Sequence, residues 1–314
     1  MLFRSYVLVE HDAGQLAPVT AELITAARPL GAVSAVVVGG HAEELAPELE
    51  KFGAVQVVNA TAADYDARLI TPEVDALHAL GQANPAPIII AADRKGNEIA
   101  GRLGARLASG VLANVSAIAE DRSATLSIFG GSTEVTASAH GNCPVYTVQP
   151  GAVEPSEAPA QAQVVPMPLP AATERDVQVV GFTPAVKSAR PELGTAKTVV
   201  AGGRGVGNEF AGVVEPLADA LSAAVGATRD AVDEGWYDPA LQIGQTGVTV
   251  SPDLYIGLGI SGAIQHTSGM QTSGTIVVVN QDQDEPFFQI ADLGVVADLH
   301  EFVPALVEEL KKRV

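Results

Sequence analysis

The sequence predicts a two-domain α/β protein built on parallel sheets. Its 314 residues are enough for about two domains, each with its own apolar core. Hydrophobic residues make up 47% of the chain but aromatics only 4%. Ala, Val, Leu and Ile must therefore fill the cores, as they do where both faces of a parallel sheet are covered. In the first half, short β-branched runs alternate with longer helical patterns, which is how βαβ units appear in a sequence.

Taken in order, strands are expected at residues 6–9, 33–38, 55–59 and 88–91, and helices at 16–28, 42–52 and 97–108. After Ile118 the runs shorten. Residues 124–129, 134–138 and 145–149 are separated by Gly, Asn and Pro and read as strands near a sheet edge. Residues 150–170, rich in Pro, Ala and Glu, sustain neither periodicity and read as an extended connection. A strand at 176–182 is expected next, followed by a polar stretch containing Pro184, Pro191 and Gly194. The expected division is an N-terminal, nucleotide-binding-like α/β domain at 1–185, a linker at 186–196 and a second α/β domain at 197–314.

The second domain opens with a strand at 198–201 and a Gly-rich turn. A helix follows on which Phe210, Val213, Val214, Leu217 and Leu221 recur at helical spacing, with Asn208 as its N-cap. The last helix, 298–313, collects Leu299, Val303, Leu306 and Leu310 on one face and sets Lys311, Lys312 and Arg313 against its C-terminal dipole.

A formal net charge of −19 would repel phosphate backbones and anionic headgroups, so neither nucleic acid nor membrane is expected as a partner. Cys143 stands alone and cannot form an internal disulfide, and no Cys/His spacing suits a metal. The chain runs into its first strand without the features of a secretory signal, and no run reaches the ~18 apolar residues of a membrane span. A cytoplasmic protein is expected.

Chemistry concentrates in the last third. Between Lys197 and Lys311 stand two arginines, Arg204 and Arg229, against sixteen Asp or Glu. Both occupy turns after strands, where glycines allow backbone N–H groups to approach an anion and a guanidinium can grip two oxygens. Gly257, Gly259 and Gly262 fit G-x-G-x-x-G after a strand. The next strand ends on Asn280 rather than on the acidic residue that binds an NAD ribose, which disfavours NAD. Gln245, Thr246, Ser261, Gln265 and His266 cluster on loops expected at the carboxyl edge of one sheet, where open α/β folds bind ligands. No nucleophile, base and carboxylate set is evident, so neither a hydrolase nor a transferase is expected.

The run Leu254-Tyr255-Ile256-Gly257-Leu258-Gly259-Ile260-Ser261-Gly262-Ala263-Ile264-Gln265-His266 resembles the signature of the electron-transfer flavoprotein alpha subunit. Gly202-Gly203-Arg204-Gly205, Val225-Gly226-Ala227-Thr228-Arg229, Gly244-Gln245-Thr246-Gly247 and Ala291-Asp292-Leu293-Gly294 fall in the family's order. The likeness is tight from about Lys197 onward. It implies an FAD-binding second domain of Rossmann or flavodoxin-like type and a heterodimer with a beta subunit that carries AMP, with the first domain as its platform. It also implies transfer of electrons from acyl-CoA and other dehydrogenases to a quinone-linked oxidoreductase.

The positions that match the family's FAD contacts are Arg204, Thr228 and Arg229, then Ile243, Gly244, Gln245 and Thr246. Ser261, Gly262, Ala263, Ile264, Gln265 and His266 follow, with Asn280, Asp298 and Leu299. Thr228 stands where serine is common and Gly257 where alanine is common, so the glycine fingerprint is partly accidental. Uptake of one electron puts negative charge over a flavin's N1, C2=O, C4=O and N5, which cations and donors stabilise. His266 is assigned to the N1/C2=O end, Arg229 to the other end or the ring face, and Thr246 and Gln245 to N5 and C4=O. Arg204 and residues 261–264 are assigned to phosphates and linker. Two readings stay open beside this one: the alpha subunit of an electron-bifurcating flavoprotein complex, and a non-redox nucleotide-binding module.

Overall fold

The computed structural model describes residues 4–12, 14–129, 133–174, 176–181, 183 and 189–313. It contains two compact units, residues 1–128 with 134–184, and residues 185–314 with 129–133.

The first unit alternates β1 (Arg4–Leu8), α1 (Pro18–Ala27), β2 (Ala32–Val38), α2 (Ala42–Phe52), β3 (Ala54–Thr61), α3 (Thr71–Ala83), β4 (Ile88–Ala91) and α4 (Arg94–Leu107). Then come β5 (Val111–Ile118), β6 (Ser123–Ile128), β7 (Thr133–Ser138), β8 (Val145–Val148) and β9 (Gln163–Pro168). The nine strands lie in the order β9-β3-β2-β1-β4-β8-β5-β6-β7. Successive side chains of a strand point to opposite faces. Val33, Ala35 and Val37 therefore pack with Leu23 and Ile24 of α1 and Leu45 and Leu49 of α2. Val36 and Val38 pack instead with Val74 and Leu77 of α3 and Ile99 and Leu103 of α4. Helices on both faces explain why the inner strands are mostly apolar on both sides, with Ser34 the one polar residue of β2.

The strand order reverses at β1. The chain passes from β1 to β2 on one side, whereas β4 enters on the other. At the carboxyl ends there, Lys95 Nζ lies 2.8 Å from Glu73 Oε1 and 3.9 Å from Glu10 Oε2.

Several expected elements fall differently. Residues 145–149 were expected near an edge, but β8 is buried and pairs in parallel with both β4 and β5. The antiparallel β5–β6 pair continues outward instead, and the chain returns to the interior. The connection 150–170 contains β9, which pairs in parallel with β3 at the opposite edge. Pro166 and Pro168 lack an N–H and are tolerated because an edge strand leaves one side of its backbone unpaired.

The expected strand at 176–182 is reduced to one bridge between Gln178 and Arg68, and Phe182 lies outside the described residues. Val177 is 52% and Val180 99% exposed, so this segment has no face to bury in a sheet. Helix α1 starts at Pro18 because Leu16 is taken into a short strand pair with His11.

The second unit contains β10 (Thr198–Gly202), α5 (Val214–Ala220), β11 (Ala224–Ala227), α6 (Arg229–Asp233), β12 (Leu254–Leu258), α7 (Ile264–Thr267), β13 (Thr275–Asn280), β14 (Leu293–Val296) and α8 (Leu299–Lys311). Its sheet is parallel, in the order β11-β10-β12-β13-β14. Asn208 is not an N-cap. Helix α5 starts at Val214, because Gly207 at φ 63° and the turns through Gly212 interrupt the helical path. Phe210 and Val213 stay in the core without being helical, and Phe210 stacks on Tyr237 at 4.6 Å.

Of the expected linker, residues 189–196 are described and are packed: Leu193 and Ala196 are buried. Arg190 grips Asp219 at 2.6 and 3.1 Å and Glu215 at 3.2 Å. Among the described residues no helix is long and apolar enough to cross a membrane.

Arg68 organises the end of the first unit. Its side chain is 2% exposed and meets Asp75 at 2.6 Å, Asp176 at 3.4 Å and the Pro170 carbonyl at 2.9 Å. Hydrogen bonds from the Thr71 hydroxyl and the Thr173 amide, with Arg68, hold the Asp176 carboxyl well below the usual carboxylate range. Removing one member of such a buried cluster strands the other charges. Arg68→Ala is expected to cost about 3–5 kcal/mol. Arg102→Ala, which breaks an exposed helical pair with Glu98, should cost no more than about 0.5 kcal/mol. Urea denaturation followed by circular dichroism measures both.

Candidate functional site

The order of the second sheet reverses between β10 and β12, so the loops leaving these strands diverge and open a crevice at their carboxyl ends. Its floor is a contact between two backbones. Gly203 N donates to Leu258 O and Gly205 N to Gly259 O, each at 2.9 Å. A Cβ on Gly203 would lie 2.5 Å from Gly259 O, and one on Gly205 2.8 Å from Gly259 Cα. Glycine is required here because the chains touch.

Above this floor lies a cavity of about 660 Å3. Arg204 enters it from the 3-10 turn after β10, and Thr228 and Arg229 from the start of α6 after β11. Ile243, Gln245 and Thr246 line it from the loop before β12. Ser261, Ala263, Gln265 and His266 come from the segment after β12, and Asn280 from the end of β13. These eleven of the expected residues converge.

Five expected residues do not line the cavity. Gly244 adopts φ 143° and passes under the Gln265 backbone, and Gly262 turns at φ 89° against Phe287. Ile264 is 67% exposed. Asp298 caps α8, accepting from His300 N and from the Gln281 side chain, each at 2.8 Å. Leu299 is in the core behind Gly259.

Gln242, Ile260, Asp230, Asp233 and Glu285 line the cavity without having been expected. Gln242 and Ile260 adjoin expected residues, and the two aspartates share one turn of helix with Arg229, so adjacency was a usable signal for them. Glu285 gave none, since only the fold of the loop after β13 brings it there. Gly257 of the fingerprint serves packing: a Cβ there would meet the Phe287 ring at 2.5 Å.

The two arginines make loose ion pairs. Arg204 lies 3.7 Å from Asp230 and Arg229 3.2 Å from Asp233, with all four side chains at least 60% exposed. Such pairs are worth little in solvent, so either guanidinium can turn to an anion at small cost.

His266 lines the cavity from α7. Its ring is buried, Nδ1 lies 3.1 Å from Ile243 O, and Nε2 lies 2.7 Å from the Tyr255 hydroxyl. Both nitrogens are bonded within the protein, so neither is a free donor for a flavin C2=O. Burial pushes its pKa down to about 4.

Two family models match the chain. Residues 5–174 match the electron transfer flavoprotein domain, and residues 192–271 match the electron transfer flavoprotein FAD-binding domain. The chain is 50% identical over 311 residues to the electron transfer flavoprotein subunit alpha of Mycobacterium leprae and 53% identical over 311 residues to that of Mycobacterium tuberculosis. Each alignment covers 98% of both chains. A relative of the same name from Syntrophomonas wolfei is 39% identical over 98% of this chain and 99% of its own.

The chain belongs to the electron transfer flavoprotein alpha-subunit family. Its FAD-binding domain falls in the second unit and spans most of the crevice. The crevice suits this cofactor in three respects: its glycine floor has no side chains to obstruct a pyrophosphate, two guanidiniums stand at its mouth, and hydroxyl and amide groups line its walls.

The depressed pKa of His266 has a consequence for stability. Above about pH 6.5, the ordinary histidine value, the ring is neutral in folded and unfolded chains alike. As pH falls from there to about 4, the unfolded chain takes up a proton that the folded ring refuses, and stability declines. The second unit should lose about 3 kcal/mol across this interval. His266→Gln should remove that part of the slope, as seen by comparing denaturation midpoints of the two proteins at a series of pH values.

Proposed function

We propose that this chain pairs with a beta subunit and that the FAD in its second unit takes electrons from flavin dehydrogenases, those acting on acyl-CoA in fatty acid β-oxidation among them. The electrons pass on to a quinone-linked oxidoreductase. The observation that carries this reading is the convergence, over a glycine floor at a sheet reversal, of the only two arginines between Lys197 and Lys311. A bound FAD supplies electron uptake and release one electron at a time.

The chain's own groups hold and bias it. Arg204, beside the glycine turn, provides a fork for phosphate oxygens. Thr228 Oγ1 accepts from Ala231 N at 3.5 Å and Thr246 Oγ1 accepts from Gln242 Nε2 at 3.0 Å, so each hydroxyl keeps its own proton to donate into the cavity. Asn280 Nδ2 donates to Ile260 O at 3.1 Å and retains a second N–H. Arg229 supplies positive charge where the ring gains an electron, within an otherwise acidic unit. His266 contributes as a neutral prop of the 243–247 loop.

Co-purification with the beta subunit should give a yellow protein absorbing near ~450 nm, as bound flavins do. Extraction should release one flavin per heterodimer, with one adenine nucleotide besides. Two flavins would favour the bifurcating complex, and a colourless protein after reconstitution with FAD would overturn the reading.

Gly205→Val, which drives a branched side chain into the Gly259 backbone, is expected to weaken FAD retention at least tenfold in equilibrium dialysis. Arg229→Ala should make uptake of the first electron less favourable, shifting its potential negative in spectroelectrochemical titration. An unchanged potential would remove Arg229 from the ring.

A further inference from the structure

Loop 243–247 carries Gln245 and Thr246 to the cavity, and backbone bonds hold it. Ile243 N donates to Ala227 O at 2.9 Å, Gly244 N to Val248 O at 3.2 Å, and Gln245 N to Gln265 O at 2.7 Å. The Ile243 carbonyl is held by a side chain, through the His266 Nδ1 contact at 3.1 Å.

A carbonyl oxygen only accepts, so Nδ1 must carry the proton in this contact. A neutral imidazole protonated on Nδ1 has its lone pair on Nε2. The group facing Nε2 at 2.7 Å is the Tyr255 hydroxyl, which must therefore donate. Every member is shielded: Tyr255 is 0%, Ile243 1% and His266 5% exposed. The opposite tautomer would set two lone pairs face to face at Ile243 O, with no solvent at hand to relieve them. Phe287 fixes both rings from the side, with centroids 6.3 Å from Tyr255 and 6.2 Å from His266.

We propose that Tyr255, a residue of β12 outside the cavity lining, is a positioning residue for flavin binding: its hydroxyl selects the Nδ1-protonated tautomer of His266, which clamps the Ile243 carbonyl and sets loop 243–247 against the cofactor. The flavin half of this statement rests on the function proposed above. The tautomer half rests on the geometry alone.

Tyr255→Phe keeps the ring and removes only the donor. In the heterodimer with the beta subunit, 15N resonances of the His266 ring report which nitrogen is protonated, and equilibrium dialysis reports the FAD Kd. The parent should show one neutral, Nδ1-protonated form at neutral pH. Tyr255→Phe should lose the hydrogen-bonded Nε2 resonance, populate a second ring state and weaken FAD binding about tenfold, the worth of one buried hydrogen bond.

An unchanged ring state overturns the proposal. So does a changed ring state with unchanged FAD affinity, which would leave Tyr255 without a positioning role. Should Tyr255→Phe fail to fold, 3-fluorotyrosine at position 255 keeps the shape and strengthens the donor. A shift of the Nε2 resonance is then expected, and no shift overturns the proposal. A parent heterodimer without affinity for FAD would instead overturn the proposed function, and the ring resonances would still decide the tyrosine–histidine coupling.

Discussion

The contact between the backbones at Gly205 and Gly259 is the constraint on which the site depends. A parallel sheet whose strand order reverses leaves a gap at the carboxyl ends of the two strands flanking the reversal. Here the loops leaving β10 and β12 touch across the bottom of that gap, with a hydrogen bond of 2.9 Å and no room for a side chain between them. The arginines, hydroxyls and amides of the crevice are therefore carried on turns whose starting points are fixed by strands. The α8 helix supports the arrangement from behind, where Leu299 presses on Gly259.

Much of this was legible in the sequence wherever a signal was local. Residues 33–38 are apolar except for Ser34 because helices cover both faces, and a valine-rich run of that length announces a buried strand without tertiary knowledge. The scarcity of arginine in the last third pointed to two turns that do line one cavity.

Signals that depend on partners were lost. The residues of β8 look like those of β6 and β7, yet one run is central and the others are peripheral, because the order of strands is set by long-range pairing. Strand β9 contains two prolines that a periodicity argument counts against a strand, and only its edge position admits them. Asn208 has the right chemistry for a cap, but the neighbouring glycines direct the backbone away from a helix.

His266 illustrates the same limit at the level of one side chain. Its place beside a polar loop was readable, and it does line the cavity. Which atoms its nitrogens face was not readable, since Tyr255 stands eleven positions earlier on a strand and Ile243 offers only its backbone. A titratable residue next to a ligand site invites assignment as a donor to that ligand. Burial and two internal partners hold this ring in place and keep it neutral at physiological pH.

The first unit repeats the reversal of strand order without repeating the crevice chemistry. Lys95, Glu73 and Glu10 gather at its carboxyl edge as an internal ion cluster. One chain thus contains two sheets whose strand order reverses, of which one presents glycine loops and outward-facing arginines and the other a lysine set between two carboxylates. Topology supplies an address, and a handful of side chains decide what chemistry it offers. Fold likeness alone would have read the same chemistry into both units.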